Sequence, residues 1–120
     1  MAQILIADDD AATRDLVRHA LETDGHQVVT ATDGTEALER LKSGSPAFAL
    51  LITDVQMPGL DGIALSQQAL VFAPGLCILL MSGYTEQLDR AVGLASTRVR
   101  TLGKPFSLEK ARAEVKAALG

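Results

Sequence analysis

Five short apolar runs recur along this chain, at residues 3–7, 27–31, 47–53, 76–81 and 98–102, and each leads into a stretch with helical spacing. Strict alternation of strand-like and helix-like segments leaves few folds open. It predicts a parallel sheet joined by right-handed crossovers through helices. The first, third and fourth runs are almost continuously apolar, which suits strands covered on both faces. The helices are read at residues 11–23, from Asp33-Gly34-Thr35-Glu36 through Leu41, at 63–71, at 85–95 and at 107–119. Gly25, Ser43-Gly44-Ser45-Pro46 and Pro74-Gly75 terminate the first three, Gly93 weakens the fourth, and Ser107 stands as N-cap of the last. No repeat, linker or low-complexity tract interrupts the pattern, so residues 1–120 read as one α/β domain.

Composition narrows the functional classes. The chain is 48% hydrophobic and 22% charged, a globular balance that excludes wholesale disorder. A net charge of −4 argues against unspecific binding to nucleic acid or anionic membrane. With no Trp and 3% aromatic residues, the core must be aliphatic. Cys77 is the single cysteine; it cannot form an internal disulfide and is expected in a buried strand. His19 and His26 lack metal-ligand spacing and are expected at the surface. No apolar run approaches the roughly 20 residues a membrane span requires, and the N-terminus has no basic region or cleavage site, so a cytoplasmic location is expected.

Ligands of open α/β sheets bind outside the carboxyl ends of the strands. After the first run come Asp8, Asp9 and Asp10; after the third, Asp54 and then Val55-Gln56-Met57-Pro58-Gly59; after the fourth, Ser82-Gly83; after the fifth, Lys104-Pro105-Phe106. Singly these suit ordinary roles: a helix cap, a turn, strand punctuation, a solvated lysine. Sharing one sheet, they converge on one small area. Crowded carboxylates repel, a divalent cation relieves that repulsion, and oxygen ligands without His or Cys suit a hard ion such as Mg²⁺.

With these motifs in place, the chain resembles, over essentially its full length, the receiver domain of two-component response regulators of the CheY-like type. The matching residues are Asp8-Asp9 after Ile4-Leu5-Ile6-Ala7, the segment from Thr53-Asp54 through Met57-Pro58-Gly59-Leu60-Asp61-Gly62, Met81-Ser82-Gly83, and Lys104-Pro105-Phe106. The resemblance implies a flavodoxin-like (βα)5 sandwich, a five-stranded parallel sheet of order 2-1-3-4-5 with helices on both faces. It implies that Asp54 accepts a phosphoryl group from a histidine kinase or histidine phosphotransfer protein. It further implies Mg²⁺ held by Asp8, Asp9, Asp54 and the Gln56 backbone carbonyl, and Ser82 and Lys104 as partners of the phosphoryl oxygens. A cis Lys104–Pro105 peptide and a readout surface on the fourth helix, fifth strand and fifth helix follow from the same likeness. Such a domain is not an enzyme beyond its own phosphorylation and dephosphorylation.

The chain departs from the family pattern at Thr101, where many receivers carry an aromatic residue that rotates on activation; Tyr84 is the nearby aromatic. Gln56 and Tyr84 flank the path of a hydrolytic water in such domains and are expected to set the lifetime of the phosphorylated state. The segment 85–97, poor in large apolar residues, is expected to be the least stable element. The chain starts at Met1 and ends at Gly120 after the last helix, so output is expected through a downstream protein target, with no direct nucleic-acid contact; a fragment of a longer regulator or hybrid histidine kinase is the alternative. Two further alternatives are a phosphate-independent binding module and an aspartate-nucleophile phosphohydrolase of the haloacid dehalogenase type. For the latter, Asp8-x-Asp10 is a superficial match to the opening motif, but Ala12 stands where Thr or Val usually follows, the cap-forming length is missing and Asp54 has no role.

Overall fold

Alternation along the chain becomes alternation of layers in space. In the computed structural model, which describes residues 2–44, 47–83 and 99–120, the elements are β1 (Gln3–Ala7), α1 (Ala11–Thr23), β2 (Gln27–Ala31), α2 (Gly34–Lys42), β3 (Leu50–Asp54), α3 (Gly62–Phe72), β4 (Cys77–Ser82), β5 (Val99–Gly103) and α4 (Leu108–Leu119). The strands form one sheet of order β2-β1-β3-β4-β5, parallel at every pairing. This is the flavodoxin-like order expected above. The helix read at 85–95, Tyr84, and Arg98 at the start of the fifth run lie outside the described residues.

Side chains that alternate along each strand feed two separate cores. Ile4, Ile6, Leu50, Ile52, Leu79 and Met81 pack beneath α1 (Val17, Leu21) and α4 (Ala111, Val115). Leu5, Ala7, Leu51, Ile78 and Leu80 pack beneath α2 (Ala37, Leu38) and α3 (Ile63, Leu65, Ala69). Each fully buried Leu or Ile contributes about 1.5–3 kcal/mol of transfer free energy. In β1, β3 and β4 such residues fall on both faces, so those strands form the rigid middle of the sheet. β2 and β5 are edges, with one fully buried residue each.

Three local details differ from the sequence reading. β3 begins at Leu50 rather than at 47, and β3, β4 and β5 each end one residue later than read. The ladder continues because polar side chains at the carboxyl rim do not interrupt backbone pairing. Cys77 is half-buried at the start of β4 rather than deep in it. His19 is exposed as expected, but His26 is half-buried and its Nδ1 accepts the Ala2 backbone N–H at 3.1 Å.

Candidate functional site

The turn from β1 to α1 separates three consecutive acids by backbone geometry. Asp10 is the N-cap of α1, its side chain accepting the Ala12 N–H and the Thr13 hydroxyl. The Thr13 hydroxyl holds the Asp10 carboxyl below its ordinary value. Asp8 is fully buried. Its Oδ1 accepts the Asp10 N–H at 2.9 Å, and its own N–H reaches the Ala31 carbonyl at 3.2 Å. Asp9, between them, is exposed. The helix-cap reading is therefore right for Asp10 only.

Asp54 is the last residue of β3, paired with Met81, rather than the first residue after it. The ladder runs on because the Val55 N–H donates to the Met81 carbonyl at 2.9 Å. Ser82 is likewise the last residue of β4, buried and paired with Gly103, and the Lys104 N–H donates to its carbonyl at 2.9 Å. Asp54 and Ser82 thus sit on rigid strand rather than on loop. Behind Asp54 the chain turns through Gly59, at φ 75°, and Gly62 then packs directly on the Asp54 carbonyl, where a Cβ would collide with backbone. Asp61 fixes that return as N-cap of α3, accepting the Ala64 N–H at 2.8 Å.

Carboxylate oxygens of Asp8, Asp9 and Asp54 lie within 4.8 Å of one another. The Lys104 Nζ stands 3.2 Å from Asp54 Oδ2 and 3.6 Å from Asp8 Oδ2. The second distance is an ion pair too long for a hydrogen bond, and Asp8 Oδ2 is a buried oxygen with no hydrogen-bond partner. Burial raises the Asp8 carboxyl above its ordinary value; the Asp10 N–H and Lys104 oppose this, while Asp54 and Asp9 add to it. Burial disfavours the Lys104 ammonium, yet Asp54 and Asp8 together outweigh it and raise its affinity for the proton. Among the described residues one ammonium faces three acids, so negative charge is in excess. An oxygen-only donor set with an unsatisfied buried carboxylate oxygen fits a hard divalent cation. Gln56 is exposed at the mouth, its N–H 3.3 Å from Asp54 Oδ1, and Asp9, Asp54, Gln56, Met57 and Pro58 line an open cleft of about 480 Å³.

A larger cleft, about 830 Å³, opens at the amino edge of the sheet between His26, Glu109, Arg112 and Lys116. Volume alone would favour it, but the acid–base pair that lines it, Asp24 with Arg112, is already closed on itself. Charge excess rather than size therefore locates the site at the carboxyl edge. The cis Lys104–Pro105 peptide is present, and Thr101 is exposed on β5. One contact escaped the sequence reading: Arg14 Nη1 donates to the Asp8 backbone carbonyl at 2.7 Å. Its signal was the spacing, since helical side chains lean toward the N-terminus and Arg14 lies one turn past the acids.

A parallel sandwich carrying three acids, a hydroxyl and a lysine at its carboxyl edge is the arrangement the receiver resemblance implies. Residues 4–116 match the response regulator receiver domain, and the chain belongs to that family. It is 37% identical over 121 residues to the alkaline phosphatase synthesis transcriptional regulatory protein PhoP of Bacillus subtilis, covering 98% of this chain and 48% of PhoP. Among solved structures it is similar to the Vibrio cholerae chemotaxis protein CheY4, with TM-score 0.87, 30% identity and 99% of each chain covered. It is also similar to the response regulator TrrA of Thermotoga maritima in complex with Mg²⁺-BeF, with TM-score 0.87, 28% identity, 99% of this chain and 100% of that one. The chain spans about half the length of the curated relatives it matches. Response regulators of this family interact with histidine kinases and downstream targets, and receiver domains typically bind Mg²⁺ at an acidic pocket. Among the described residues no helix is long and apolar enough to cross a membrane.

Proposed function

We propose that residues 1–120 act as one phosphorylation-controlled switch whose acceptor is Asp54, phosphorylated by a histidine kinase or a histidine phosphotransfer protein. The observation that carries the reading is the position of Lys104, at ion-pair distance from both Asp54 and the buried Asp8. A carboxylate oxygen of Asp54 forms the new O–P bond as the donor's N–P bond breaks, and the imidazole nitrogen leaves with the electron pair. Such a transfer asks the protein for alignment and charge neutralisation more than for covalent chemistry. Pairing by the β3–β4 ladder and the backing of Gly62 hold Asp54 in place for in-line attack. Lys104 offsets the acceptor charge before transfer and the phosphoryl charge after it. The Ser82 hydroxyl donates to a phosphoryl oxygen.

Asp8, Asp9, Asp54 and the Gln56 carbonyl would hold Mg²⁺, which when bound neutralises the repulsion between these acids and an incoming phosphoryl group. Gln56, exposed at the mouth of the cleft, together with Tyr84 sets how fast the acyl phosphate is hydrolysed. The domain catalyses its own phosphorylation and dephosphorylation and no other reaction. Its output is a contact with a downstream protein in the cytoplasm. Phosphorylation supplies about −1.5 to −2 charges and new acceptor oxygens at the carboxyl edge, and that local change biases the contact.

The test is labelling by acetyl phosphate, read on a phosphate-affinity gel. A shifted band is expected with Mg²⁺, and none with chelator or with Asp54→Ala. Equal labelling of the variant would move the acceptor elsewhere.

A further inference from the structure

We infer that Arg14 is a positioning residue that holds the metal-binding acids in register by gripping the peptide between them. This rests on the magnesium reading above. The peptide linking Asp8 to Asp9 joins the buried acid of the pocket to the exposed one. Its carbonyl accepts from Arg14 Nη1 at 2.7 Å, a half-buried charge-assisted bond.

Two other bonds are made by Asp8 itself. The Asp8 N–H is tied to the Ala31 carbonyl, and Asp8 Oδ1 to the Asp10 N–H. The first fixes the turn where it leaves β1. The second ties the Asp8 side chain to Asp10, the N-cap of α1, and leaves the Asp8–Asp9 peptide itself unheld. Arg14 reaches in from the body of α1, which is packed on the sheet through Val17 and Leu21. Like charges within 4.8 Å push Asp9 away from Asp8 and Asp54. Arg14 resists that drift from a rigid element, and it does so through a main-chain oxygen rather than by occupying a carboxylate oxygen of the three acids.

The sign of the effect separates this role from simple proximity. A nearby positive charge repels Mg²⁺, so an Arg14 acting only as a charge would weaken cation binding, and its removal would tighten it. A positioning residue does the opposite. Loss of groups that orient metal ligands typically costs about 10- to 100-fold in metal affinity, and Arg14→Met is expected to weaken Mg²⁺ binding about tenfold.

The measurement is a Mg²⁺ titration of the 120-residue chain followed by backbone amide resonances, with a thermal melt in chelator alongside. Arg14→Met should bind more weakly at a nearly unchanged metal-free melting temperature. The Asp9 amide nitrogen, which shares a peptide with the Asp8 carbonyl, should shift before any metal is added. Arg14→Gln, also uncharged and too short to reach, should behave alike and carries the test if the Met variant is unstable. Equal or tighter Mg²⁺ binding by these variants, with an unmoved Asp9 amide, would overturn the inference. Failure of the unaltered chain to bind Mg²⁺ would instead overturn the magnesium reading itself.

Discussion

The two rims of the sheet hold the same chemical ingredients in opposite states. At the amino rim, Asp24 and Arg112 meet one to one through two hydrogen bonds on an exposed surface. The guanidinium satisfies the carboxylate and holds its pKa below the ordinary value. At the carboxyl rim, three acids share one ammonium, and the buried member, Asp8, has its pKa raised. The first arrangement is complete and has little to offer a ligand. The second is short of positive charge, and that shortage is what a cation can fill. An acid–base contact thus points to function when its stoichiometry is unbalanced and its environment dry.

The contrast breaks most visibly in phosphorylation. Lys104→Ala should slow labelling by acetyl phosphate about 100- to 1000-fold, the scale for losing one preorganised electrostatic donor, while Arg112→Ala should leave the rate unchanged. Parallel time courses on phosphate-affinity gels check this. Equal slowing of both would erase the distinction between the rims.

Stability sharpens the contrast further. Because the folded pKa of Asp8 is raised, its ionisation costs the fold at pH above that value, and the cost disappears as pH falls through it. Asp8→Asn should therefore stabilise the metal-free protein at neutral pH. In millimolar Mg²⁺ the order should reverse, since the unaltered protein gains binding free energy that the variant forfeits. Denaturant melts with and without Mg²⁺ read both signs.

The smallest effect belongs to Asp24. With its folded pKa lowered, its contribution is full at neutral pH and is lost as pH falls through that depressed value. Asp24→Asn should lower the melting temperature slightly at pH 7, and the gap to the unaltered protein should close in acid. A gap independent of pH would show that Arg112 contributes packing rather than charge.

Much of this was legible in the sequence because it depends on periodicity and strand ends. Alternating apolar runs specified the parallel sandwich, and reading the residue after each run brought Asp8, Asp54, Ser82 and Lys104 together. What escaped depends on backbone hydrogen bonding. Asp54 and Ser82 look like loop residues because they are polar, yet the ladder carries on through them. Asp10 is indistinguishable from its neighbours until the helix start is fixed and it becomes the cap. His26 reads as a surface residue because nothing in its neighbourhood announces an acceptor for the Ala2 amide. Arg14 escapes for a related reason: its partner is a main-chain carbonyl, which no residue type marks.

The contact of Gly62 with the Asp54 carbonyl has a consequence for variation at this locus. Even a methyl group there would collide with the Asp54 carbonyl and force the backbone to shift, so a saturation library should show position 62 nearly as intolerant as position 54. The site thus has a second point of fragility, with no reactive atom of its own, eight positions further along the chain.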